Sequence, residues 1–442
     1  MSARKRAPES GRRLIDSFLG LHNQLVKLCP WQPVGTKANV RQASAKRDFP
    51  KLLGLLPLEV QVPVQALFSM PLPPSGGKAG GGGAPPPALL VPSSPTIAGL
   101  QDEVLLMTSL QRPKKITFVG SDGGLYPFLA KPKDDLRKDY RLMDFAGVLN
   151  ALMARDPAAR RRSIALRTYA VLPLADDCGI LQWVDNLVAF KSACEEVYTA
   201  EKLYNRRQTP TQIRKLYDGF QGTRKADLLA SVLSTLPPRM HKWLLARFPE
   251  PGAWLAARLG FTRTAAAWSM VGHVLGMGDR HGENIMIDAT TGDIMHVDFG
   301  CLFDRGLTLE VPEMVPFRLT QNVADGCGVS GVEGGFRRAA EFTLQVLRTN
   351  RGALMTCAET FLADPLVEWT KQHRGAGQEL DNPMAKDALA TIEGRLSGTL
   401  LGVASIPTSQ ALSVEGQVAR LISEAVDHEN LGRMYIWWMP WF

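Results

Sequence analysis

Leu14, Phe18, Leu21, Leu25 and Leu28 recur at spacings of three and four, the repeat of one helix face, and the pattern predicts helix through residues 11–68. The run PLPPSGGKAGGGGAPPPALLVPSSP at 71–95 cannot bury enough apolar surface to offset the ordering of its chain, so it reads as a flexible linker. The period then changes. Residues 116–119 and 125–131 flank Gly120-Ser121-Asp122-Gly123-Gly124 and predict an antiparallel hairpin. Leu142, Phe145, Leu149 and Leu152 restore a helical stripe over 141–154, and residues 167–174 and 180–184 read as strands around a turn at 175–179. Residues 190–275 are predominantly helical, with the last helix over 264–275. Two short strands follow at 284–287 and 294–297, then two helices over 335–369 and a polar, Gly-bearing stretch at 371–410. Ser413 is placed to cap a final helix whose Val414, Val418, Leu421, Ile422 and Ala425 share one face.

Composition changes this picture little. At 442 residues and 45% hydrophobic content the chain can fill two or three cores. Its six cysteines include no C-x-x-C pair, so neither a disulfide framework nor a zinc site is indicated, and a reducing compartment fits. No apolar run reaches the length of a membrane span. The formal charge of +8 is concentrated at the start, where residues 1–50 hold 10 Lys/Arg against 3 Asp/Glu. The remainder holds 41 against 40, so no basic excess there would itself bind a polyanion. Any link to DNA is expected to be indirect.

The chemistry lies in GMGDRHGENIMIDATTGDIMHVDFG, residues 276–300. Singly, Asp279 and Asn284 read as turn residues and Asp298 as a strand-end cap. Taken in order, with a hairpin between them, they are three oxygen side chains able to hold a cation and a hydroxyl nucleophile beside a nucleotide phosphate. Ordinary protein kinases present H-R-D-x-x-x-x-N and then D-F-G. Here D-x-x-x-x-N is kept, but the triplet runs Asp279-Arg280-His281.

This reversed D-R-H-G-E-N, followed by H-V-D-F-G, resembles the phosphatidylinositol 3-kinase-related protein kinases. The resemblance implies an α+β, bilobal protein-kinase-like fold of the PI3K/PI4K type, with a helical amino-terminal extension and a carboxy-terminal FATC helix. It implies that Asp279 positions the acceptor hydroxyl and takes its proton, that His281 hydrogen-bonds the transferring phosphoryl group, and that Asn284 and Asp298 hold Mg²⁺, with Mn²⁺ as a substitute. Lys131, in KPKDDLRKD, matches the lysine that binds the ATP phosphates, and the turn entered at Ser109 covers them. Asp134 and Asp139 are both candidates to orient Lys131, and the sequence does not choose between them. The strand carrying Gln182-Trp183-Val184 resembles the hinge, where backbone groups near Gln182 and Val184 pair with adenine and Trp183 stacks on it. As a residue by itself, Trp183 reads also as a core aromatic.

The same resemblance divides the chain into the end of a FAT-like helical region (1–70), a linker (71–100), an N-lobe (101–184), a C-lobe (185–370), a regulatory insert (371–410) and FATC (411–442), the carboxy-terminal part of a larger protein. Five aromatics fall in the last eight residues, Tyr435, Trp437, Trp438, Trp441 and Phe442, and are expected to dock on the C-lobe. The runs SLQRPKK, KPKDDLRKD, RTYAVLPL, VPFRLT, DPLVEW and LSVEGQV narrow the match to the checkpoint branch of the family. Some members of that branch have Asn at the Gly300 position. The implied activity is an ATP-dependent serine/threonine kinase acting in the nucleus on Ser/Thr-Gln sites in DNA-damage and replication-stress signalling. Its regulatory partner proteins would bind mainly an absent amino-terminal part. Residues 301–318 resemble the family's activation segment; a phosphoinositide lipid kinase would need clustered Lys/Arg there, where the chain holds Asp304, Glu310 and Glu313 against Arg305 and Arg318. A catalytically silent scaffold would need a lost Lys, Asp or Asn.

Overall fold

Alternation of apolar and half-exposed positions over β4 (Lys114–Gly120) puts Ile116 and Phe118 into a core with Phe128 and Ala130 of β5 (Leu125–Pro132), where Phe118 and Phe128 meet edge to face at 5.7 Å. The computed structural model describes residues 8–33, 41–64, 95–109, 111–363, 383–399 and 411–442. Nearly all of the expected linker, the DPLVEW run and the insert outside 383–399 therefore lie outside the described residues. The chain divides into two units, residues 1–148 with 168–185, and residues 149–167 with 186–442.

The first unit is built on a seven-stranded antiparallel sheet. Strand β1 (Gln42–Ser44) pairs with β3 (Glu103–Leu106), and β2 (Ile97–Leu100) and β3 both pair with β4. Beyond β5 come β7 (Cys178–Gln182) and then β6 (Val171–Ala175). Lys131 lies opposite Gly179, where a side chain would stand 2.5 Å from the Leu172 carbonyl oxygen, so only glycine fits beside the lysine's strand. Helix α1 (Glu9–Leu28) packs on the sheet by burying Leu21, Leu25 and Leu28. Lys114, itself buried, donates from Nζ to the Cys29 carbonyl at 2.5 Å and so ties the end of α1 to β4.

One expectation fails here. Helix does not continue through residue 68: after α1 the chain enters β1 and the short helices α2 (Ala45–Asp48) and α3 (Pro50–Leu53). The pairing of Ala43 with Val104 is a long-range contact that overrides local periodicity. The stripe on α1 is also only half buried, because Leu14 and Phe18 are 45% and 54% exposed.

Helix α4 (Arg137–Arg155) begins in the first unit and ends in the second. The second unit is largely helical, from α5 (Pro157–Arg161) and α6 (Phe190–Ala200) through α7 (Thr209–Asp218), α8 (Lys225–Thr235) and α9 (Met240–Arg247) to α10 (Pro251–Leu275). The small and apolar run at the end of α10 is buried on every side. Gly276 stops that helix at φ 59°, a left-handed cap whose Cβ would lie 2.5 Å from the Asp304 nitrogen. A three-stranded sheet follows, ordered β10 (Ile294–His296), β9 (Ile285–Asp288) and β8 (Leu187–Ala189). Its hairpin turn is held by Asp288, whose carboxylate accepts from Thr290 and Thr291 nitrogens at 2.7 and 3.2 Å and pairs with Arg167.

Helices α11 (Gln321–Gly326), α12 (Arg337–Thr349), α13 (Arg351–Ala363) and α14 (Pro383–Ser397) continue the unit. Helix α14 falls where the sequence showed only a polar stretch; Ile392 and Leu396, one turn apart, are buried. At the end, Ser413 Oγ accepts from the Gly416 nitrogen at 3.0 Å and caps α15 (Val414–Val426), whose five predicted apolar positions are all buried. Helix α16 (His428–Gly432) leads to the terminal aromatics. Trp438, Trp441 and Phe442 are buried, whereas Tyr435 and Trp437 remain 52% and 40% exposed. The five therefore do not dock together, because the 3₁₀ turn at Ile436–Trp438 sends successive side chains to different sides.

Candidate active site

The loop between α10 and β9 and the end of β10 bring Asp279, Asn284 and Asp298 into one hydrogen-bonded constellation. Asn284 Nδ2 donates to the Asp279 carbonyl at 2.9 Å, the Asn284 nitrogen donates to the His281 carbonyl at 3.0 Å, and the Val297 nitrogen donates to the Asn284 carbonyl at 3.1 Å. Asp279 and Asp298 are exposed, and both adopt left-handed backbone (φ 57° and 60°). For a residue with a Cβ this costs about 1 kcal/mol or more and persists only where the surroundings impose it.

Arg280 imposes it. Almost fully buried, it donates from Nε to the Gly278 carbonyl at 2.8 Å, from Nη1 to the Val297 carbonyl at 2.9 Å and from Nη2 to the Asp298 carbonyl. One guanidinium thus staples the loop holding Asp279 to the backbone holding Asp298. Burial lowers its pKa, opposed by Asp279, Asp298 and Glu313. From the activation segment, Glu313 accepts the Asp279 backbone N–H at 2.9 Å. Burial raises the Glu313 pKa to about 7.

His281 Nδ1 accepts the Glu283 N–H at 3.2 Å, which leaves the proton on Nε2, 3.9 Å from Asp279 Oδ1. Burial lowers its pKa, so the ring is neutral at pH 7 with a donor beside the carboxylate. Glu283 is itself held by Lys191 at 2.7 Å. The arrangement fits a divalent cation: Asn284 commits its amide nitrogen to Asp279 and keeps its oxygen as a ligand, and the exposed Asp298 carboxylate makes no ion pair among the described residues. Those residues contain no group of three or more His, Cys, Asp or Glu side chains that could hold a metal. A site of two protein ligands completed by phosphate oxygens is the usual form for Mg²⁺.

The first unit holds the other predicted residues. Lys131 Nζ meets Asp134 Oδ2 at 3.1 Å, both partly buried, while Asp139 is buried in the first turn of α4. Ser109 is exposed in the turn from β3 to β4, accepting the Arg112 nitrogen at 3.0 Å. The Gln182 nitrogen is committed to the Ala170 carbonyl at 2.8 Å and its side-chain Oε1 accepts the Ala170 N–H, so Gln182 has no spare backbone donor. The Val184 nitrogen has no backbone acceptor among the described residues. Trp183 carries the Lys115 ammonium 4.5 Å over its ring.

Arg280 and Glu313 were missed from the sequence, where they figured only as a motif letter and a loop charge. Nothing local marks them, because their partners are backbone atoms brought close by the fold. A third such residue, Arg318, is buried in the VPFRLT run and donates to the carbonyls of Trp438, Met439 and Phe442 at 2.8, 2.8 and 3.1 Å. Burial brings its pKa down to about 9.

Comparison with known proteins joins these features. The family described as phosphatidylinositol 3- and 4-kinase matches residues 125–371, more than half the chain. The chain belongs to the phosphatidylinositol 3- and 4-kinase family. Residues 411–442 match the FATC domain. The chain is 47% identical to the serine/threonine-protein kinase ATR of Oryza sativa subsp. japonica, over 100% of its own length and 16% of the relative's. It is 46% identical to ATR of Arabidopsis thaliana over 98% and 16%, and 38% identical to protein kinase rad3 of Schizosaccharomyces pombe over 98% and 17%. A solved structure of the FAT and kinase domain of CtTel1 superposes with a TM-score of 0.79 at 27% identity, covering 100% of this chain and 30% of that one. The chain therefore spans about a sixth of the curated relatives' length. Kinase-family membership brings ATP and a divalent cation as reaction partners. No helix among the described residues is long and apolar enough to cross a membrane.

Proposed function

We propose that this chain is the catalytic portion of an ATR-type serine/threonine protein kinase that transfers the γ-phosphoryl group of ATP to Ser or Thr followed by Gln, in nuclear checkpoint signalling of DNA damage and replication stress. The observation that carries the reading is the stapled constellation of Asp279, His281, Asn284 and Asp298. The Asp279 carboxylate accepts the proton of the substrate hydroxyl as that oxygen bonds to the γ-phosphorus and the bond to the β-phosphate oxygen breaks, releasing ADP. His281, neutral with its proton on Nε2, donates to the phosphoryl oxygens where charge accumulates. Lys131, oriented by Asp134, holds the phosphates as a point charge. Val184 supplies the backbone donor to adenine, and Trp183 stacks on the base. Asn284 and Asp298 would hold Mg²⁺, or Mn²⁺ in its place. The bound cation neutralises phosphate charge.

The activation segment favours a protein acceptor over an inositol phosphate. Its sequence is acidic by one charge, and one of its two arginines, Arg318, is buried against backbone carbonyls, which leaves Arg305 alone to meet an anionic headgroup. Under this reading the partners are protein substrates with Ser/Thr-Gln sites and ATR-type regulatory proteins, with DNA met only indirectly.

Paired peptides with Ser-Gln and Ser-Ala, and phosphatidylinositol vesicles, each incubated with ATP, test the reading. Phosphate is expected on Ser-Gln, much less on Ser-Ala, and none on lipid; transfer to lipid alone would replace it with the lipid-kinase reading. Asp279→Asn should lower turnover about 10²- to 10⁴-fold, the usual contribution of a general base, with little change in the KM for ATP. A large rise in that KM would move Asp279 to the nucleotide side.

A further inference from the structure

Asp279 has both of its backbone polar groups held by side chains. Asn284 takes the carbonyl from within the loop, and Glu313 takes the N–H from 34 residues away. Glu313 occupies a slot that glycines keep open: a Cβ on Gly278 would stand 2.6 Å from its Oε2, and one on Gly306 would stand 2.3 Å from it. Its own nitrogen donates to the Gly306 carbonyl at 3.0 Å. The next residue is anchored in turn. The Met314 nitrogen lies 3.2 Å from Met434 Sδ, and Met314 and Val315 pack on a cluster of Leu229, Leu431, Met434 and Trp438. A continuous path therefore runs from the carboxy-terminal helices through Met314 to Glu313, and from Glu313 to the left-handed residue that carries the catalytic carboxylate.

We propose that Glu313 is a positioning residue, through which order in the activation segment and in the carboxy-terminal element sets the backbone of Asp279. This rests on Asp279 being the base of the proposed kinase reaction. An acceptor at Glu313 holds the Asp279 peptide; without one, the N–H loses its partner and the Asp279 backbone keeps only the side-chain bond from Asn284. The groups facing Glu313 are Asp279 and Arg280 from the catalytic loop and Cys301 from the start of the activation segment. Burial and the Asp279 carboxylate raise the Glu313 pKa, against the Asp279 N–H and Arg280, to about 7. Its ionisation near neutrality adds negative charge beside Asp279, which makes Asp279 a stronger base. Turnover should accordingly rise as pH passes through about 7.

The test compares Glu313→Ala with Glu313→Gln in the full chain, using the Ser-Gln peptide, the pH profile of kcat, and hydrogen exchange of the backbone around Asp279. Loss of the acceptor in Glu313→Ala should lower kcat about 100-fold, the scale of a small misplacement of a reacting group, with little change in the KM for ATP and faster exchange at the Asp279 amide. Glu313→Gln keeps an acceptor oxygen, so it should recover most of the turnover and the slow exchange, but lack the step in the pH profile. Parent-like turnover and exchange in Glu313→Ala, equal losses in both variants, or an unchanged pH step in Glu313→Gln overturns the proposal. An inactive parent whose Asp279 amide nevertheless exchanges faster in Glu313→Ala would overturn the kinase reading and leave the positioning role standing.

Discussion

Replacing Asp298 with asparagine is expected to reduce phosphoryl transfer on the order of a thousandfold or more while leaving the melting temperature within a degree or two. Asp298 is exposed and forms no ion pair among the described residues, so its charge contributes little to the folded state. Its contribution falls on the bound nucleotide. A metal ligand supplies several kcal/mol of charge stabilisation in the transition state, and each 1.36 kcal/mol is a factor of ten in rate. Asparagine is the better probe than alanine because position 298 sits at φ 60°, which Asn tolerates and Ala resists. An alanine variant would mix backbone strain with loss of the ligand. Turnover by Asp298→Asn near the parent rate would remove Asp298 from the metal site.

Deleting Tyr435 to Phe442 is expected to unfold much of the second unit and abolish turnover. Trp438, Trp441 and Phe442 are buried, with Phe442 against Tyr198 and Tyr204 at 5.9 and 5.5 Å and Trp441 against Tyr217 at 6.1 Å. Losing one such side chain typically costs about 3–5 kcal/mol, and three together approach the roughly 5–15 kcal/mol that stabilises a whole domain. The deletion also strips Arg318 of three carbonyl acceptors and leaves a buried cation uncompensated. Thermal melting and peptide turnover measured together should therefore fall together, unlike Asp298→Asn, which loses turnover alone. Tyr435→Ala is the control, since that side chain is half exposed and the melt should move far less. A truncated chain that melts normally would show that the buried aromatics contribute nothing to this unit.

The predicted hairpin at 116–131, the strands flanking 288–293, the long helix entering the catalytic loop and the capped helix from Ser413 were all legible in the sequence. Each is specified by short-range features: a two- or four-residue period, a glycine stop or a capping hydroxyl. Where pairing is long-range, local period misled, as at Gln42–Ser44, read as helix but added to the sheet edge beside β3. The apolar stripe on α1 was read correctly as a face, but the sequence could not say that only Leu21, Leu25 and Leu28 of it would be covered.

For the site, the sequence by itself pointed to phosphoryl transfer, because its oxygen ligands and base can sit in one contiguous motif, residues 276–300, while Lys131 entered only through the family resemblance. It also set the acidity of the activation segment. Tertiary structure alone decided what holds those groups in place. It set Lys131 Nζ 3.1 Å from Asp134 Oδ2, took the Gln182 N–H into the sheet, and set Lys115 over the ring of Trp183. It also gave Arg280, Glu313 and Arg318 their partners, which are backbone groups up to 124 residues away. A backbone carbonyl or amide is the same at every position, so no pattern of side chains along the chain can mark which one a buried charge will meet.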